Sequence, residues 1–488
     1  MKFYFSFLLI TFLLFPFLST YGQVSSQEYE GLVAFYKATG GDNWTDKSNW
    51  DITQNPSENT VNDSWKGIGI KDGHVISIFL DDNNLVGSIP DEIEKLSYLS
   101  FEFYLSDNKI NTVSPKIGML NKLESLNLNG NEIEKLPKEI QNLSSLVSIS
   151  LSSNKMTEIP SFIFEMTNLT DLSFAKNELA ILPKEIAKLE NLIGLYLYNN
   201  NLETLPTEIA QLSKLEDLDI SNNKLKEFST ELFLLENLLS LSVSRNQITE
   251  LPNKIGNLTK LETLEIDDNK MSKLPKEIGL LTNLYILDIG RNQITELPNE
   301  IGNLTKLEIF IIDKNKINKL PQTLENLVLL ESFYFSRNKL DQIPNYISLL
   351  PKLNTVFCSY NSFNFGDLEK IKKNPAIDIA SSSYAPQKPY KVSQSLIKVK
   401  TEKTIKLTAP TKGTKNTYQW FRADSYKITE KGYTTIQHFE KIENATTSTL
   451  VLSSITKDTT AFYYCEVKNE NFPDLILKSE PIRVEVIN

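Results

Sequence analysis

The chain has 488 residues, 40% apolar and 23% charged, with a net charge of −10. About three ordinary domains would fill that length, and the balance excludes disorder, a collagen-like fibre and a multi-span membrane protein. The acidity argues against a general nucleic-acid or anionic-membrane binder, while two cysteines and two histidines exclude a disulfide framework and leave little room for zinc or acid–base chemistry.

Residues 1–22 join Lys2 to an apolar run interrupted by Ser6, Thr11 and Pro16, and close on the small residues Thr20 and Gly22. A membrane span needs about 20 apolar residues, so this stretch reads as an export signal cut before Gln23. No cysteine lies near that cut, which argues against a bacterial lipid anchor. The expected location is secreted, at the cell surface or periplasmic, with no transmembrane segment after removal of the signal. In residues 23–75, Leu32, Val33, Phe35 and Tyr36 have near-helical spacing, and Gly40 and Gly41 end the helix. Trp44, Trp50 and Trp65 follow. Asp42 and Asn43 are too few for an ion site.

Residues 76–375 repeat. Asn131 returns every 23 residues as Asn154, Asn177, Asn200, Asn223, Asn246, Asn269, Asn292, Asn315, Asn338 and Asn361, with Asn108 one step earlier and Asn83 a further 25 back. Proline recurs at one phase, from Pro137 to Pro344, and Ser229 breaks the run once. In one unit Leu123, Leu126, Leu128, Ile133, Leu136, Ile140 and Leu143 are apolar. Leu126 and Leu128 alternate as a strand with one face inward. A single unit cannot bury seven large side chains, but stacked neighbours can.

The pattern resembles the leucine-rich repeat family in its short LxxLxLxxNxLxxLPxxIxxL form, over about residues 75–370. The resemblance implies an α/β-type solenoid, with a curved parallel sheet on the concave side and short helical or irregular segments on the convex side. Each asparagine side chain is then expected to satisfy turn backbone that the ladder cannot reach. Gly87 and Pro90 match plant-type repeats, and residues 23–75 resemble the N-terminal cap of such proteins. Those caps commonly carry a cysteine pair. This one has none, so the three tryptophans are expected to close the open end of the core rather than to stack on sugars.

Residues 376–390 form a Ser/Pro-rich linker, and residues 391–488 change to short β segments. Trp420, Cys465 and Tyr463, two before that cysteine, resemble the core of an all-β immunoglobulin-like sandwich with its tyrosine corner. The partner cysteine is missing, and Leu407 stands at its place. Both thiols, Cys358 and Cys465, read as core hydrophobes. His74 lies in the cap region and His438 in a different domain from Cys358, so Cys–His catalysis is not expected.

If the leucine pair faces inward, the positions six, four and two before each asparagine face outward on the concave sheet. The middle column contains Phe79, Tyr104, Tyr196, Asp219, Glu265, Asp288, Ile311, Tyr334 and Phe357, and the flanking column adds Tyr198, Asp267 and Asp313. Folding does not need solvent-facing aromatics, and aromatics are enriched at interfaces. The expected binding residues are Tyr196, Tyr198, Asp219, Glu265, Asp267, Asp288, Ile311, Tyr334 and Phe357. Asp217, Asp219, Glu265, Asp267, Asp268 and Asp288 could form an acidic patch or merely a solvated face, with Arg245, Arg291 and Arg337 partly neutralising them. A catalytic carboxylate pair needs an acid of raised pKa, and open strands in water are expected to give no such shift. Asn168, Asn257 and Asn303 match the glycan acceptor pattern, but they also fall in the repeat consensus. The expectation is an exported, non-enzymatic recognition protein with no cofactor or metal. It would bind a protein partner through the concave face, in adhesion or cell-surface interaction. The alternatives are carbohydrate binding and an accessory module for extracellular polysaccharide.

Overall fold

The computed structural model describes residues 23–56, 65–377, 380–424, 427–428, 434–435 and 439–487. The expected export signal and His438 lie outside these described residues. The chain divides into two compact units, one ending at Met156 and one beginning at Thr157.

In the first unit, helix Ser26–Ala38 starts where the Ser25 side chain accepts the Glu28 N–H at 3.2 Å, and stops at Thr39 before a left-handed Gly40. Its buried face carries Leu32, Phe35 and Tyr36. Trp44, Trp50 and Trp65 are 5%, 7% and 3% exposed, so they have no open face for a sugar. Ring centroids lie 4.8 Å apart for Trp44–Trp50 and 4.4 Å for Trp50–Trp65. Trp44 Nε1 donates to the Thr39 carbonyl and Trp50 Nε1 to that of Lys66. Ile68–Lys71 and His74–Phe79 make an antiparallel hairpin, and Glu102–Tyr104, Ser125–Asn127 and Ser148–Ser150 continue from it in parallel.

The second unit opens with nine parallel three-residue strands, from Asp171–Ser173 to Thr355–Phe357. Within each, the central residue is buried and the last is half-buried. The opposite side of each repeat is a five-residue 3₁₀ turn with at least one apolar side chain fully or almost fully buried, such as Ile209 or Ile278. Proline precedes these turns because its fixed φ suits the entry. Ser229 takes the same conformation, φ −63°, and turn Thr230–Leu234 forms normally, so the break in the sequence pattern is not a break in the fold.

The asparagine ladder takes the expected role. Asn223 Nδ2 donates to the carbonyls of Leu197 and Ile220 at 3.0 Å and of Ser221 at 3.2 Å, while its Oδ1 accepts the Leu202 N–H at 2.9 Å. One buried side chain thus joins two successive repeats. The residue before each ladder asparagine sits in left-handed conformation, as do Arg245, Asp268, Arg291 and Arg337.

The C-terminal strands form a separate β-sandwich. Asn416–Ala423 pairs antiparallel with Ala461–Asn469 so that Trp420 faces Cys465 across the ladder, and Ile405–Thr408 pairs with Thr449–Leu452. Trp420, Leu407 and Cys465 are all buried, and both cysteines are free. Tyr463 Oη donates to the Thr459 carbonyl at 2.9 Å, which is the tyrosine-corner bond. Residues between the last repeat and the sandwich hold firmly to both. The Cys358 N–H donates to Ser383 O at 2.7 Å and Tyr390 N–H to Lys478 O at 3.0 Å, while Phe365 and Tyr384 pack on Phe472.

Candidate binding surface

The outward columns fall where alternation puts them. Tyr196, Asp219, Glu265, Asp288, Ile311, Tyr334 and Phe357 each end a strand and are half-buried, and Tyr198 and Asp267 follow two residues later, also half-buried. Register makes many of them neighbours. Asp219 lies beside Tyr196, and the run Glu265, Asp288, Ile311, Tyr334, Phe357 passes across five successive strands. Tyr334 and Phe357 stack at 5.1 Å with planes 9° apart. The Tyr196 ring folds back over Gly194, where an added Cβ would lie 3.0 Å from it. In the first unit, Phe79 and Tyr104 pair edge to face at 5.5 Å with planes 90° apart.

Across the strands from Asp171 to Phe357, the outward positions carry seven carboxylates: Asp171, Asp217, Asp219, Glu265, Asp267, Asp288 and Asp313. They carry no Lys, Arg or His. The basic side chains sit at the rim, on the left-handed turn residues. Asp268 joins them there rather than the sheet face, exposed and 3.9 Å from Arg291. Arg337 lies 3.9 Å over the Tyr360 ring. A depression of about 240 Å³ opens among Asp267, Asp288, Gly290, Ile311 and Asp313, with Arg245, Arg291 and Lys314 at its edge. Gly290 leaves room there, since an added Cβ would lie 3.1 Å from Asp288 Oδ1 and 3.6 Å from the Ile311 side chain. The outward column gives Asp267 and Asp313, but nothing in the sequence weights Gly290 until its neighbours are known.

The expectation of unperturbed carboxylates is wrong. Burial, reinforced by Asp267, Glu265 and Asp313, pushes the Asp288 carboxyl up to about 7 despite the Gly290 N–H it accepts at 2.8 Å. Asp313 rises to about 6, again chiefly from burial, opposed by the Ser336 N–H and by Lys314, Arg337 and Arg291. Asp217 is raised by burial and by Glu216 and Asp171. Strands about 4.8 Å apart crowd each outward side chain against its neighbours, so a sheet face is not bulk water. Among the described residues, no group of three or more His, Cys, Asp or Glu is placed to hold a metal ion, and no helix is long and apolar enough to cross a membrane.

A family model described as leucine-rich repeat region matches residues 106–198, 184–270 and 264–357. The chain belongs to the leucine-rich repeat family. A second model, immunoglobulin domain, matches residues 395–477. Both are typically binding modules rather than catalysts. No curated protein gives a significant match. Among solved structures, a leucine-rich repeat protein of Leptospira interrogans is 33% identical over 61% of this chain and 82% of its own, with a TM-score of 0.54. An internalin from Listeria monocytogenes is 24% identical over 72% of this chain and 94% of its own, TM-score 0.59, and shares the fold. The plant peptide hormone receptor RGFR1, solved in complex with RGF2, is 28% identical over 67% of this chain and 57% of its own, TM-score 0.56. The family resemblance and the solved structures together mark the repeat region as a protein-interaction module.

Proposed function

We propose that this is an exported, non-enzymatic recognition protein that binds a protein partner through the outward sheet face of the repeats, in adhesion or another cell-surface interaction. Residues 1–22 serve as the export signal and residues 23–75 as the cap. Residues 76–375 present the surface, and residues 376–390 join it to the immunoglobulin-like domain at 391–488. The observation that carries the reading is the row of half-buried outward side chains from Glu265 to Phe357 on adjacent strands. Aromatic side chains are enriched among interface anchors. The peptide complex of the plant receptor supports a polypeptide ligand.

The test is a pull-down from extracellular protein and polysaccharide fractions, beside a variant carrying Tyr196→Ala, Asp219→Ala, Asp288→Ala and Tyr334→Ala. A protein captured by the wild type and lost by the folded variant supports the reading. A polysaccharide captured in its place would favour the carbohydrate alternative. A partner held equally by both proteins moves the site to the cap or the immunoglobulin-like domain.

A further inference from the structure

The outward face is divided in its chemistry. Its carboxylates run from Asp171 to Asp313, and its middle column from Ile311 through Tyr334 to Phe357 is apolar and aromatic. Among the described residues, none of the seven carboxylates makes a close ion pair: Arg291 pairs with Asp268 at the rim and Arg337 lies over Tyr360, while Lys314, Arg337 and Arg291 act on Asp313 only from the rim. The strand positions of the face therefore carry net negative charge, which the rim cations offset only in part.

We propose that this face receives an extended segment of a protein partner in which basic residues are followed, in one direction along the segment, by aromatic or bulky aliphatic ones. The proposal rests on the concave-face reading above and adds the chemistry of the partner. The basic side chains lie over the carboxylates, one of them entering the depression at Gly290 between Asp267 and Asp313. The apolar side chains lie on the Tyr334–Phe357 stack. Six strand intervals separate Asp219 from Phe357, roughly 29 Å at about 4.8 Å each. An extended chain rising about 3.3 Å per residue covers that in about nine residues, so a short segment reaches both halves. A cation placed over half-buried carboxylates relieves their mutual repulsion, so the attraction is greater here than at a solvated acidic surface. Neither half alone accounts for the face. A purely basic segment would leave the aromatic stack uncovered, and a purely apolar one would bury the carboxylates without partners.

The experiment selects binders from a phage library displaying random peptides of about nine residues, using the whole protein as bait. The enriched sequence is then synthesised with a fluorophore and its affinity measured by anisotropy. Two variants are compared, Asp219→Asn with Glu265→Gln and Asp288→Asn, and Tyr334→Ala with Phe357→Ala, each checked for an unchanged circular dichroism spectrum. The amide substitutions keep side-chain size, so loss of binding reports charge. The expected result is enrichment of Lys or Arg followed by Phe, Tyr, Trp or Leu, and a loss of affinity of about tenfold or more in each variant. Raising salt from about 50 to about 300 mM should weaken the wild type several-fold and the amide variant far less. Enrichment without basic residues, no enrichment, or equal binding to the amide variant would overturn the proposal. If a pulled-down protein is lost by the four-residue variant above but not displaced by the enriched peptide, concave recognition survives and the basic-apolar segment does not. A chitosan oligosaccharide that displaces the peptide and also captures the bait more tightly would assign the face to a cationic sugar polymer, against the proposal.

Discussion

Replacing Asp288 by Asn removes a charge while keeping the side chain's size and the bond it accepts from the Gly290 N–H at 2.8 Å. In the folded chain burial holds this carboxyl near 7, against an ordinary 3.8. Three pKa units correspond to about 4 kcal/mol. Asp288 is only half-buried, so water screens part of that cost and about 1–2 kcal/mol is the reasoned effect. The native state holds a proton that the unfolded chain has released, so Asp288 makes stability fall as pH rises from about 4 to about 7, and the full cost stands above that. Asp288→Asn should therefore stabilise the repeats by about 1–2 kcal/mol near pH 8 and by nearly nothing near pH 3.5, below the unfolded pKa. Urea unfolding followed by far-ultraviolet circular dichroism at both pH values decides it. Equal gains at the two pH values, or destabilisation near pH 8, would refute the claim that Asp288 is charged at a cost.

Three further outcomes follow from the packing. Asn223→Ala leaves the Leu202 N–H and three carbonyls without that partner, so it should destabilise by about 3 kcal/mol; an unchanged melting profile would sink the ladder argument. Gly290→Val fills the depression, where its Cβ would stand 3.1 Å from Asp288 Oδ1, and should weaken partner binding about tenfold while the circular dichroism spectrum stays unchanged. Retained affinity would remove Gly290 from the site. Burial raises both thiols, Cys465 to about 12, so neither should react with a thiol reagent near pH 8 until denaturant is added. Labelling of the native protein would contradict their core placement.

Much of this architecture is legible residue by residue. Strand alternation in Leu126 and Leu128, the recurring asparagine and the Trp420, Tyr463 and Cys465 set each point to the local structure that forms. These signals survive because each is local or strictly periodic: side-chain direction follows from position within one repeat, and stacking multiplies it. The prolines were less decisive than their regularity suggests, since Ser229 enters the same turn. Residues 376–390 look like a tether by composition, but Tyr384 and Tyr390 are each 5% exposed.

By itself the sequence determined the repeat, the family it resembles, the outward columns and the second domain, because hydrophobic period and turn chemistry are encoded within each unit. Only the tertiary structure decided what those columns became. Stacking strands side by side half-buried Asp288 and Asp313, which composition had placed in open water. It also turned Asp268 out to the rim and made Gly290 the floor of a depression. The electrostatic cost of a carboxylate depends on what lies across the neighbouring strand, 23 residues away in the chain, and no single repeat contains that information.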